Sequence, residues 1–200
     1  MKQILVGTTS HGKFAEFLRL INGLGMEAIH PEVIGKTLED FPEVGSSFLE
    51  ISHKKALAWG EWSKKPVLVD DSGLTILALD GKPGIFSKRV KDGSDLERNL
   101  HILKSLKDIP QDKRQAAFVC ALTFYDLEKQ IVIQTQGIVA GRIASKIAGE
   151  EGFGYDSIFI PDGYQETFAQ LGTKEKNKFS HRANATFSMR PFLQQWSHEN

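Results

Sequence analysis

A single cysteine, Cys120, stands among the 200 residues. One thiol can build neither an intrachain disulfide nor a thiolate zinc cluster, and its place in an apolar run suits a small core residue. Net charge is missing too, because 25 Lys plus Arg balance 25 Asp plus Glu. Nothing global draws the chain to DNA, RNA or an acidic membrane, so a phosphate-bearing ligand must be held by local basic groups. No apolar stretch approaches bilayer-spanning length. Met1-Lys2-Gln3 leads into an apolar run that ends by Gly7, too short for a secretory leader, and a cytoplasmic location is expected. Repeats, linkers and low-complexity segments are also absent, which predicts one domain over residues 1–200.

What is present is an ordinary globular composition, 40% apolar and 25% charged, arranged as alternating strand and helix patterns. That alternation argues an α/β domain. Ile4-Leu5-Val6 reads as a buried strand, and Phe14, Phe17, Leu18 and Ile21 mark a helix closed by Gly23 and Gly25. A second strand is read at 26–29, a loop at 31–47 and a helix at 48–62. Ser94-Asp95-Leu96-Glu97 has the capping-box pattern, and Leu96, Leu100, Leu103 and Leu106 follow as an amphipathic stripe. Residues 116–125 are apolar on both alternating faces, which predicts a central strand turning at 126–129 into a hairpin partner at 130–140. A short strand is read at 157–160. A last helical segment follows, with Pro191 expected to kink or break it.

The strongest chemical signal is Val67-Leu68-Val69-Asp70-Asp71-Ser72-Gly73. Three apolar residues predict a buried strand, and the two carboxylates are read at its end. Carboxylates beside a buried strand require partners, and Mg²⁺ arriving with phosphates would be one. A polar turn is the plainer alternative. Near the N-terminus, Gly7, Thr8, Thr9, Ser10, His11, Gly12 and Lys13 form a glycine- and hydroxyl-rich loop between strand and helix. Such a frame can cradle phosphate with backbone N–H groups and a helix N-terminus. Gly7-x-x-x-x-Gly12-Lys13 matches most of a P-loop, but Phe14 stands where a Ser or Thr must ligate Mg²⁺.

Five motifs, in order, resemble those of the inosine triphosphate pyrophosphatase family, the Ham1-like hydrolases. They are the loop from Thr8 to Lys13; Glu43-x-Gly45 with Phe48 and Glu50; Asp70-Asp71-Ser72-Gly73-Leu74 with Gly81-x-Pro83-Gly84; Gly152-Phe153-Gly154-Tyr155-Asp156; and Lys176 with Ser180-His181-Arg182. The resemblance runs from about residue 4 to residue 190. It implies a long, mixed, twisted sheet flanked by helices, two lobes with a central cleft, a homodimer and a need for Mg²⁺. It implies hydrolysis of non-standard purine nucleoside triphosphates (ITP, dITP and XTP) to a monophosphate and pyrophosphate, with no direct DNA or RNA binding and no membrane partner. Asp71 takes the family's proton-acceptor and metal position, and Glu43 its other metal position. Thr8, Thr9, Ser10, His11, Gly12, Lys13 and Ser72 match phosphate-side and substrate contacts. Phe153, Gly154, Tyr155, Asp156, Lys176, His181 and Arg182 match residues around the base.

The chemistry of these residue types suits the implied roles. A carboxylate can accept the proton of an attacking water. Lys13, joined by Lys55, can stabilise phosphate charge. Phe153 offers a face for a purine, and a donor such as Arg182 or a backbone N–H would favour a 6-keto base over adenine. The sequence departs from the family at Thr9 and Ser10, where Gly and Asn are usual, and at Ile51, where Asn is usual. Thr9 lacks glycine's freedom at positive φ. These departures leave two alternatives open: a related pyrophosphatase of different base preference, and a nucleotide-binding homologue with weakened catalysis.

Overall fold

The computed structural model describes residues 1–35 and 44–199. Its strands are β1 (Lys2–Val6), β2 (Met26–Ile29), β3 (Val67–Ile76), β4 (Gln115–Asp126), β5 (Ile131–Ile143) and β6 (Phe159–Pro161). Its helices are α1 (His11–Leu20), α2 (Phe48–Ser63), α3 (Asp95–Ser105), α4 (Phe168–Lys176) and α5 (His181–His198). Among the described residues the strands form a mixed six-stranded sheet in the order β2-β1-β3-β4-β5-β6. β1 runs parallel to both β2 and β3, whereas β5 and β6 are antiparallel. No helix among the described residues is long and apolar enough to cross a membrane.

The chain divides into two compact units. The first comprises Met1–Asp71, Cys120–Gly137 and Arg182–Asn200. Strand alternation sorts its core into two faces. Ile4, Val6 and Leu68 join Cys120, Leu122 and Phe124 against Phe17 of α1 and Ala185, Met189, Leu193 and Trp196 of α5. Leu5, Val67 and Val69 point the other way, onto Ala56 and Trp59 of α2. Helices on both faces explain why these strands are apolar without a polar side. Gly7 follows β1 at a close approach: a Cβ there would meet Val69 Cγ2 at 2.7 Å and the Trp59 ring at 2.9 Å.

The second unit comprises Ser72–Val119 and Ile138–His181. Its core gathers Leu74, Ile76, Ile102, Leu106, Phe118, Ile143, Ile158, Phe159 and Phe168. Ser94 caps α3 with the reciprocal Glu97 contact read from the sequence. The buried stripe of α3 differs from the reading, because Leu96 and Leu100 are exposed while Asn99 and Ile102 are buried. Asn99 is recruited inward by hydrogen bonds to Gly154 O and Ser157 Oγ, both at 3.0 Å.

Three boundaries also differ. β3 does not end at the carboxylates but continues to Ile76, since paired carboxylates can remain inside a strand. His11, Gly12 and Lys13 form the first turn of α1, behind the Ser10 cap, rather than a loop. The last helical segment is two helices, and α5 runs through Pro191 without a break. A proline there removes a backbone donor. Burial of Ala185, Met189, Leu193 and Trp196 on either side holds the helix together.

Candidate active site

In the first unit, β3 carries Asp70 and Asp71 to opposite faces. Asp70 joins the α1 and α5 side. Its Oδ2 accepts from Lys13 Nζ at 3.0 Å and from Arg182 Nη2 at 3.1 Å. Arg182 also donates from Nη1 to Glu16. Asp70, Glu16 and Arg182 are each at most 3% exposed. Burial alone would raise the Asp70 pKa, but Lys13, Arg182 and Lys55 outweigh it and hold the carboxyl far below its usual range. Burial likewise works against the Arg182 cation, and Asp70 and Glu16 reverse it and lock the charge in place. Asp70 Oδ1 is a buried oxygen with no hydrogen-bond partner among the described residues.

Asp71 lies on the α2 side. Lys55 Nζ donates to Asp71 Oδ1 at 3.4 Å and to the Asp70 carbonyl at 3.2 Å. Two lysines from two helices thus reach consecutive carboxylates, one on each face of β3. Thr8 Oγ1 accepts from the Ser10 N–H at 3.1 Å, and Ser10 Oγ accepts from the Lys13 N–H at 3.4 Å. Ser10 therefore works as a helix cap. Thr9 is exposed, and among the described residues the non-glycine positions at positive φ are Lys64, Asp80 and Gln130. The turn is thus built without the conformation that Thr9 would resist. His11 leans toward Glu32 and His30. Glu50 accepts from Lys54 Nζ at 2.5 Å and from the Ser46 N–H at 2.8 Å. Those bonds pull its pKa down to about 2. The predicted metal position Glu43 lies outside the described residues.

In the second unit, Asp156 Oδ2 accepts from Lys176 Nζ at 2.6 Å and from the Phe153 N–H at 3.0 Å. Asp156 and Lys176 are both 2% exposed. Lys176 Nζ also stands 4.7 Å from the centre of the half-buried Phe153 ring, a cation–π contact that fixes the ring. Gly154 takes φ 64° and gives its N–H to Asp95 Oδ2 at 2.7 Å. At Gly152, with φ 84°, a Cβ would meet Asp156 Oδ2 at 2.2 Å. Tyr155 is buried and donates to the Ser87 carbonyl at 2.6 Å. Burial pushes its pKa up to about 12. His181 is buried and stacks on Phe118, ring centres 4.6 Å apart. Ser72 is half-buried beside Leu74 in β3.

Several predicted residues therefore have structural partners within their own unit. Arg182, expected as a donor near the base, directs its guanidinium to Glu16 and Asp70. The Phe153 and Gly154 N–H groups are committed to Asp156 and Asp95. The sequence reading missed Glu16, Asp95 and Asn99 as partners. Glu16 carried one signal, a carboxylate next to Phe17 on the apolar face of α1 and three residues after Lys13. Asp95 was visible only as part of a capping box.

Comparison with known proteins supports a single assignment. Residues 4–192 match the Ham1 family. The chain is 38% identical to a dITP/XTP pyrophosphatase of Oceanobacillus iheyensis, covering 99% of each chain. It is 36% identical to one from Aquifex aeolicus, covering 92% of each. Among solved structures, a HAM1 protein from Coxiella burnetii superposes with a TM-score of 0.85 at 34% identity, covering 98% of this chain and 100% of that one.

Proposed function

We propose, for a chain that belongs to the Ham1 family, that it hydrolyses non-standard purine nucleoside triphosphates, dITP, ITP and XTP, to a monophosphate and pyrophosphate. The relatives' activity supports the substrate class. The observation that carries the chemistry is the pairing of Lys13 with Asp70 and of Lys55 with Asp71 and the Asp70 carbonyl, two cations at consecutive residues of β3. Asp71 is the proton acceptor for the attacking water. A new P–O bond forms from that water, and the bridging oxygen between the α- and β-phosphates leaves with pyrophosphate. Lys13 and Lys55 stabilise the charge that builds on the phosphate oxygens. Asp70 keeps Lys13 in place and is itself fixed by Arg182. Phe153, braced by Lys176 and Asp156, supplies the stacking face for the purine.

The residues present suit Mg²⁺, a hard cation that prefers carboxylate oxygens. Asp71 offers one such group, buried on the α2 side of β3 beside Lys55. Asp71 and Glu43 would hold the ion, which when bound neutralises phosphate charge and acidifies water. The balanced formal charge supports the absence of a nucleic-acid partner. A cytoplasmic homodimer completes the reading.

Incubation of the purified protein with ITP and Mg²⁺ should yield IMP and pyrophosphate. Release of orthophosphate, or equal turnover of ATP and ITP, would overturn the assignment.

A further inference from the structure

His11 opens α1, His30 follows β2, and Glu32 lies in the short 3-10 turn Pro31–Ile34. One donor atom from each falls within 4.8 Å of the others. His11 Nε2 is 3.7 Å from Glu32 Oε1, and His30 Nδ1 is 3.5 Å from Glu32 Oε2. Tetrahedral zinc, with bonds of about 2.0–2.1 Å, holds its donors roughly 3.3 Å apart. The two contacts to Glu32 are near that spacing, and the full set of donors, within 4.8 Å, must draw together to reach it.

His30 Nδ1 accepts the Glu32 N–H at 3.3 Å, a long bond that the nitrogen must exchange for an ion, because it has one lone pair. His30 is 8% exposed, and its Nε2 is buried with no partner among the described residues. The His30 ring is braced by the edge of Phe14, centre to centre 4.7 Å at 83°. It is stacked at 5.2 Å with His11. One of the three ligands is thus held in place before any ion binds, while His11 and Glu32 are exposed and able to close on it.

We propose that His11, His30 and Glu32 form a binding site for a borderline-soft divalent cation of the Zn²⁺ type. Two imidazoles and one carboxylate favour such an ion over Mg²⁺, which prefers all-oxygen surroundings. Three protein ligands leave a fourth position for water or an anionic oxygen. The site adjoins the Ser10 cap and does not depend on the pyrophosphatase reading.

The test uses metal-free full-length protein, titrated with Zn²⁺ against a chromophoric chelator in excess Mg²⁺, with Co²⁺ as an absorbing substitute. Wild type should take up Zn²⁺ that Mg²⁺ does not displace, and Co²⁺ should give a visible d–d band. Glu32→Gln and His11→Ala, both at exposed positions, should each weaken uptake by roughly 10- to 100-fold. Their far-UV circular dichroism should be unchanged. No Zn²⁺ uptake, displacement by Mg²⁺, or wild-type affinity in both variants would overturn the site.

Discussion

Asp70 Oδ2 takes both Lys13 and Arg182, while Asp71 Oδ1 faces Lys55 at the longer distance of 3.4 Å. The first carboxylate is fixed within the fold by two cations, and the second carries the proposed proton-acceptor role. Asp71→Asn should therefore lower kcat by about 10²- to 10⁴-fold, as loss of a general base does. The circular dichroism spectrum should not change; near-normal turnover by folded variant would contradict the role. Tyr155 makes a pH prediction. Its ordinary pKa is about 10, and burial raises it to about 12 in the fold. The neutral phenol is thus favoured by folding. Its contribution is complete below pH ~10 and is lost as pH rises through the folded value. Urea midpoints of wild type and Tyr155→Phe should differ most near neutral pH and converge on the alkaline side.

At the scale of the element, the approach of the β1–α1 turn to α2 depends on a missing side chain. Gly7→Ala would drive a Cβ into Val69 and Trp59. The expected loss is about 1–3 kcal/mol, the usual cost of overpacking, read as a lower denaturant midpoint with unchanged slope. α3 depends instead on its cap. Ser94 Oγ accepts from the Glu97 N–H, and Glu97 Oε2 accepts from the Ser94 N–H at 2.7 Å. Ser94→Ala should cost about 1 kcal/mol. Both features could be read locally. The outward placement of Leu96 and Leu100 could not, because helical spacing defines a stripe but not what covers it.

At the scale of the whole molecule, Glu16 and Arg182 are 166 residues apart in sequence, and Arg182 and Asp70 are 112 apart. Their network is buried, so removing one charge leaves another uncompensated. Glu16→Gln should destabilise the protein by about 3–5 kcal/mol, measured by chemical denaturation. The Asp70 pKa lies below its unfolded value. Its contribution is therefore present at neutral pH and fades as pH falls below about 4. Acid denaturation of wild type should begin there, and Asp70→Asn should flatten that part of the curve.

The chain's order alone determined the strand cores at 4–6 and 67–69, the cap at Ser94, the central apolar strand around Cys120, and the motifs that match the Ham1 family. These are short-range patterns, and alternation or capping chemistry writes them directly into neighbouring residues. Tertiary structure decided which carboxylate is spent on the fold. It committed Arg182 to Glu16 and Asp70, drew Asn99 inward, and set His11 against His30 and Glu32. Those outcomes depend on which charges and donors meet after segments far apart in sequence are packed together. A residue type states what a side chain can bind, whereas only its burial and neighbours settle what it does bind.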